Sequence, residues 1–298
     1  MICPPIGYEL WSSYATLRAV AQDACAAGFT VLRFDYDGTG DSVGDHRDAD
    51  RLQAWVQSID QACRHLVDEL GVRKLSLLGL RLGASLAATY AARMRPEWLD
   101  ELILWDPVVN GRRHVRGLML VATPDPSTSA VPEPLGAGSP DAPRAEGEPG
   151  SANAANDGRV RFTGVAGTVH SAETLDAVAA LNLITLDAPD CKVLLLHRPD
   201  RDDCATLAQT WASAGVRVDS CADDGIEKVI DRATEEAELP ASMLHFLRGR
   251  FAESAAESLA MHPAAARLAP MPPRDTTTFR HAPTGTELVE RFVRIGPD

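Results

Sequence analysis

Apolar residues in the first 120 positions cluster in short blocks separated by longer stretches of mixed character. Phe29–Phe34, Leu75–Leu78 and Glu101–Trp105 are such blocks, each followed by Gly, Asp or Pro turn chemistry, and they read as strands. Between them, Ser13–Ala26, Asp48–Leu70 and Ala84–Arg93 read as helices. Strand and helix in alternation imply an α/β architecture: a mostly parallel sheet, right-handed crossovers and helices on both faces. The alternation stops after about Met119. Residues 122–157 are rich in Pro, Gly, Ser and Ala, with almost no large apolar side chains. Such a segment buries too little surface to offset its ordering entropy, so a disordered insert is expected there. From 158 the alternation resumes, with a helix at Ala172–Leu183, strands at Lys192–His197 and Val216–Cys221, and helices at Ala205–Ala214 and Ala241–Phe251. A tail from 256 to 298 ends in the strand-like Thr286–Ile295.

Composition narrows the setting. The chain has 298 residues, 45% hydrophobic and 24% charged, enough for one large domain with its own core. A net charge of −13 argues against nucleic acid or an anionic membrane as partner. No apolar run approaches the roughly 20 residues that span a bilayer. Met1-Ile2-Cys3-Pro4-Pro5 lacks the basic start of a signal peptide, so a cytoplasmic protein is expected. The six cysteines are scattered with no C-x-x-C pair, which points to reduced thiols. Neither a metal nor an organic cofactor is expected.

The chemistry concentrates at Gly79-Leu80-Arg81-Leu82-Gly83, where an apolar strand runs through a glycine-flanked turn into a helix. That layout matches the G-x-S-x-G elbow, which lifts a nucleophilic serine above a sheet, but Arg81 stands where the serine belongs. A permanently protonated guanidinium cannot attack a carbonyl. Ser85 lies about 6 Å further along the helix and is expected to pack rather than react.

Pro4–Glu9, Leu32–Ser42, Gly79–Ala84, Leu104–Gly111 and Phe162–Leu183 together resemble the serine-aminopeptidase-type α/β-hydrolases. The similarity is greatest to bacterial hydrolases associated with exosortase systems and to acyl-hydrolases of biosynthetic clusters. The resemblance implies an α/β-hydrolase fold, with 1–121 and 158–255 as its two parts and the insert in the lid region. It makes Ile6 and Gly7 the oxyanion loop, while Asp37–Gly44 reads as a structural turn. It places the catalytic acid after the Lys192–His197 strand, with Asp202 first by position and Asp200 and Asp203 close behind. It places the base in Asp223–Leu239, which contains no histidine; Thr234 or Glu235 occupies that slot, and His245 falls beyond it in the closing helix. The family also normally begins with strands ahead of the Pro-Pro loop, whereas Glu287–Pro297 resembles such an opening strand at the other end. Four explanations stand open: a piece of a tandem-hydrolase polypeptide with a neighbouring hydrolase domain, a misassigned start, a tail strand that pairs with the uncovered sheet edge, or a floppy tail whose similarity is accidental.

Two readings of function follow. In the first, the chain is degenerate as a serine hydrolase and binds a small acyl or carboxylate ligand or a partner. Arg81 is then either an anion hook or an arginine paired with Asp35, Asp106 or Asp202 in a closed pocket. In the second, it is an active hydrolase or acyltransferase on ester, thioester or amide substrates, working without a triad.

Overall fold

Helices cover both faces of a five-stranded parallel sheet in the computed structural model, which describes residues 1–120, 122–124, 162–165, 168–223, 225–231, 236–261, 276–280 and 287–291. The sheet contains β1 (Ile2–Cys3), β2 (Leu75–Leu80), β3 (Leu99–Trp105), β7 (Lys192–His197) and β8 (Val218–Ala222), in that spatial order. Every pairing within it is parallel. β2, β3 and β7 are apolar in nearly unbroken runs because they are buried on both sides, whereas β8 at the edge is partly exposed. Leu102 and Leu104 of β3 face one layer, while Ile103 and Trp105 face the other. The first layer includes Trp55 and Ile59 of α2 (Arg51–Arg64), Leu86 of α3 (Leu82–Met94) and Trp211 of α6 (Asp202–Ser213). The second is closed by Leu17 of α1 (Tyr8–Ala26), Val229 of α7 (Glu227–Ile230) and Leu247 of α8 (Ala241–Met261).

Above the carboxyl ends of β2 and β3 lies a small cap. It comprises α4 (Gly111–Leu120), an antiparallel sheet of β4 (Ala122–Pro124), β5 (Phe162–Val165) and β6 (Thr168–Ser171), and α5 (Ala172–Ala179). Periodicity alone did not reveal α4 or these three short strands. The first turn of α4 is pinned by Gly111, whose amide donates to the Leu181 carbonyl at 2.8 Å. A β-carbon there would collide with the Val178 carbonyl oxygen.

Three sequence expectations change in detail. Phe29–Phe34 pairs with the sheet only through the bridge of Arg33 to Ile2, because β1 offers just two residues to pair with. The helix expected over Asp48–Leu70 is α2 followed by a π-helical turn, His65–Glu69, in which the Leu70 amide donates to the His65 carbonyl at 3.2 Å. The helix expected to reach Leu183 stops at Ala179, and Asn182 then turns the chain by accepting a hydrogen bond from the Ile184 amide at 3.1 Å.

The expected insert lies, apart from Ala122–Pro124, outside the described residues. In the tail, β10 (Glu287–Arg291) pairs antiparallel with β9 (Thr276–Arg280), in a sheet separate from the central one.

Candidate functional site

The turn between β2 and α3 keeps the shape of a nucleophile elbow. Arg81 sits at φ 54°, ψ −122°, a conformation costly for any residue with a β-carbon. Its amide donates to the Trp105 carbonyl at 2.9 Å, and its carbonyl accepts from Ala84 at 3.1 Å, starting the helix. Gly79 and Gly83 let the turn close. A β-carbon on Gly79 would overlap the backbone of Ala84, and one on Gly83 would overlap the carbonyls of Cys3 and Pro4.

The Arg81 side chain is consumed in ion pairs. Its Nε donates to Glu9 Oε1 at 2.9 Å, and Nη1 donates to Asp106 Oδ2 at 3.0 Å and to the Asp106 carbonyl at 3.2 Å. Of the three partners foreseen for a buried Arg81, Asp106 is therefore one that it has, joined by Glu9, which sequence did not suggest. Asp106 is fully buried just beyond β3 and also receives Arg201 Nη1 at 3.0 Å, with Arg198 Nε at 3.2 Å. Arg201 in turn grips Asp203, and Arg198 pairs with Asp231 at 3.4 Å. Burial pulls the Arg81 guanidinium pKa down, but the charges of Glu9 and Asp106 outweigh it, so the group is held more firmly protonated than usual. Burial also opposes ionisation of Asp203, yet the Arg201 guanidinium overrides it and keeps that carboxyl below the ordinary range.

The other expected site residues fall in different surroundings. Asp202 is exposed in the first turn of α6, and its neighbour Asp203 is the one that enters the cluster. Thr234 and Glu235 lie outside the described residues. The loop where the base was expected begins at Asp223, which accepts from the Trp105 indole at 2.6 Å, and its Asp231 reaches the cluster through Arg198. Ser85 is buried, its hydroxyl donating to the Val108 carbonyl at 2.9 Å. His245 is exposed on α8.

Ile6 and Gly7 do face a cavity, of about 120 Å³, that opens between the elbow and the cap. Gly7 has φ 74°, and a β-carbon on it would press on Thr168 Oγ1 at 3.2 Å. Glu9, Trp55 and Leu82 contribute wall from below, while His114, Leu118 and His170 contribute it from the cap. Among the described residues that line the cavity none is serine or cysteine. Burial, with the nearby Arg81 cation second, pushes the His114 imidazole down to about 3, and burial pushes His170 down to about 4. Both are neutral at pH 7. Spacing could not have singled them out, because the cap joins them from segments far apart in sequence.

This neutrality carries a stability prediction. In the unfolded chain these histidines take up protons near pH 6.5. Between that pH and about 4 the unfolded state binds more protons, so folding stability falls as pH drops through this window. The slope is at most about 1.4 kcal/mol per pH unit for each histidine. Urea unfolding at pH 7, 6, 5 and 4.5 should show the decline, and His114→Gln with His170→Gln should flatten it. A wild-type stability that is level across the window would contradict the assignment.

A family model described as serine aminopeptidase, S33, matches residues 10–132, which take in the elbow and β3. The chain has an α/β-hydrolase fold. That fold is shared by Est1E from Butyrivibrio proteoclasticus, solved with ferulic acid bound. That likeness has a TM-score of 0.52 and 18% identity, over 87% of this chain and 89% of that one. The α/β hydrolase domain-containing protein 10 from mouse aligns at TM-score 0.49 and 16% identity, over 86% of this chain and 88% of that one. A comparison with curated proteins finds no match. Among the described residues, no helix is long and apolar enough to cross a membrane, and no cluster of three His, Cys, Asp or Glu could hold a metal ion.

Proposed function

We propose that this α/β-hydrolase is degenerate as a serine hydrolase and keeps its fold to bind a small acyl or carboxylate ligand in the cavity beside the oxyanion loop. One observation carries the reading. The elbow holds Arg81, and the guanidinium is tied to Glu9 and Asp106 as part of the structure. A strained elbow is useful to a serine because it presents an oxygen to substrate. Here the same strain presents a cation to two carboxylates.

A second reading, ester, thioester or amide chemistry without a triad, has one contact in its favour. Thr168 Oγ1 lies 3.2 Å from His170 Nε2 at the cavity wall beside Gly7. An imidazole pushed down to about 4 is a weak base for a secondary alcohol, which speaks against it.

The test is direct. The purified protein is incubated with p-nitrophenyl acetate and butyrate and, separately, with a fluorophosphonate probe. We expect no release above buffer and no covalent label. Ester turnover abolished by the fluorophosphonate would overturn the reading, and turnover that survives it but vanishes in Thr168→Val would establish the second one.

A further inference from the structure

We propose that Glu9 sets the ligand class of the cavity: by ion-pairing with Arg81 it makes the cavity select uncharged, largely apolar ligands with a hydrogen-bonding head, such as amides, esters or alcohols, over carboxylates. The inference rests on the ligand-binding reading above and divides its two ligand classes.

Position comes first. Glu9 lies in the first turn of α1 and forms part of the cavity wall, whereas Arg81 is not among the residues that line the cavity. Glu9 thus links the wall to the guanidinium, its Oε1 accepting from Arg81 Nε at 2.9 Å. An incoming carboxylate meets a wall that carries the negative member of this pair.

The charge balance behind Glu9 offers no relief. Three guanidiniums, Arg81, Arg198 and Arg201, face four carboxylates, Glu9, Asp106, Asp203 and Asp231. The cations are already matched, so none is left over for a ligand anion. A carboxylate moved from water into such a site loses hydration without gaining a counter-ion.

The rest of the wall suits a neutral guest. Trp55, Leu118, Leu175 and Val178 present apolar surface. His114 supplies the polar complement, since a neutral imidazole offers one N–H donor and one acceptor nitrogen. An amide or ester oxygen can accept from that donor with no charge to compensate.

The experiment compares hexanamide with hexanoate, equal in chain length and different in charge, by isothermal titration calorimetry at pH 7.5. Wild type is expected to bind hexanamide at least about tenfold more tightly than hexanoate. Glu9→Gln, which removes the negative charge that offsets Arg81, is expected to bring hexanoate affinity level with or above that of hexanamide. Glu9→Ala, checked by circular dichroism for folding, serves if Gln does not fold. Hexanoate binding wild type as tightly as hexanamide overturns the proposal while leaving the ligand-binding reading standing. A preference for hexanamide that persists unchanged in the Glu9 variants also overturns it, because Glu9 is then not the cause. Binding of neither compound to wild type or variant sinks the ligand-binding reading, and the proposal with it.

Discussion

Asp106→Ala is expected to destabilise the protein by about 3–5 kcal/mol, lowering the thermal midpoint on the order of 10 °C. Asp106 is fully buried and is the common ion-pair partner of Arg81, Arg198 and Arg201. Its removal leaves three guanidiniums sharing Glu9, Asp203 and Asp231, with Arg81 and Arg201 almost wholly enclosed. Each guanidinium keeps one carboxylate but loses its contact to the fully buried one, and neither water nor another anion can replace that partner. Part of the effect belongs to the backbone, since Asp106 has φ 42°, which Asp and Asn tolerate better than Ala. Asp106→Asn separates the two contributions: it keeps the conformational preference and removes the charge. If charge matching dominates, Asn loses most of what Ala loses. A change below about 1 kcal/mol for both variants, measured by chemical denaturation, would show that the cluster is not a structural hub.

Much of the sheet was legible because its physics is local. Parallel strands buried on two faces must be apolar in runs, and the runs at Leu75, Glu101 and Lys192 sit where β2, β3 and β7 lie. The elbow was legible for a different reason: only glycine fits at 79 and 83, so the pair is a geometric signature that holds whatever residue stands at 81. The cap was not legible. Its strands are three or four residues long, and α4 has one buried residue, Gly111, so neither carries a strong periodic signal. The charge cluster was legible only in part. Asp106 follows a strand aimed at the elbow and was among the partners foreseen for Arg81. Glu9, Arg198 and Arg201 reach the elbow from other segments, and nothing in their local sequence announces it. Polar residues in loops beyond strand ends look alike in sequence, whether solvated or buried, until the tertiary fold sorts them.

The second large effect concerns the elbow's support. Gly83→Ala is expected to cost about 3 kcal/mol or more, because the new methyl group would have to occupy the space of the Cys3 and Pro4 carbonyls. Both obstacles are backbone, so relief requires α3 to shift away from β1 and the loop that follows it as a unit. Gly117→Ala is the matched control. Gly117 also lies in a helix, but a β-carbon there meets nothing within 4 Å. Intrinsic propensity favours Ala over Gly by up to about 1 kcal/mol in a helix interior, so on local grounds both substitutions should stabilise. The sign at position 83 reverses only if the close packing of elbow against loop is real. The strained turn would then remain a load on the fold, held by Gly83 beneath and by the Arg81–Glu9–Asp106 pairs above. A Gly83→Ala protein as stable as wild type would show that the elbow can relax without its chemistry. In that case the two supports would no longer be coupled, and the Asp106 loss should shrink as well when measured in the Gly83→Ala background.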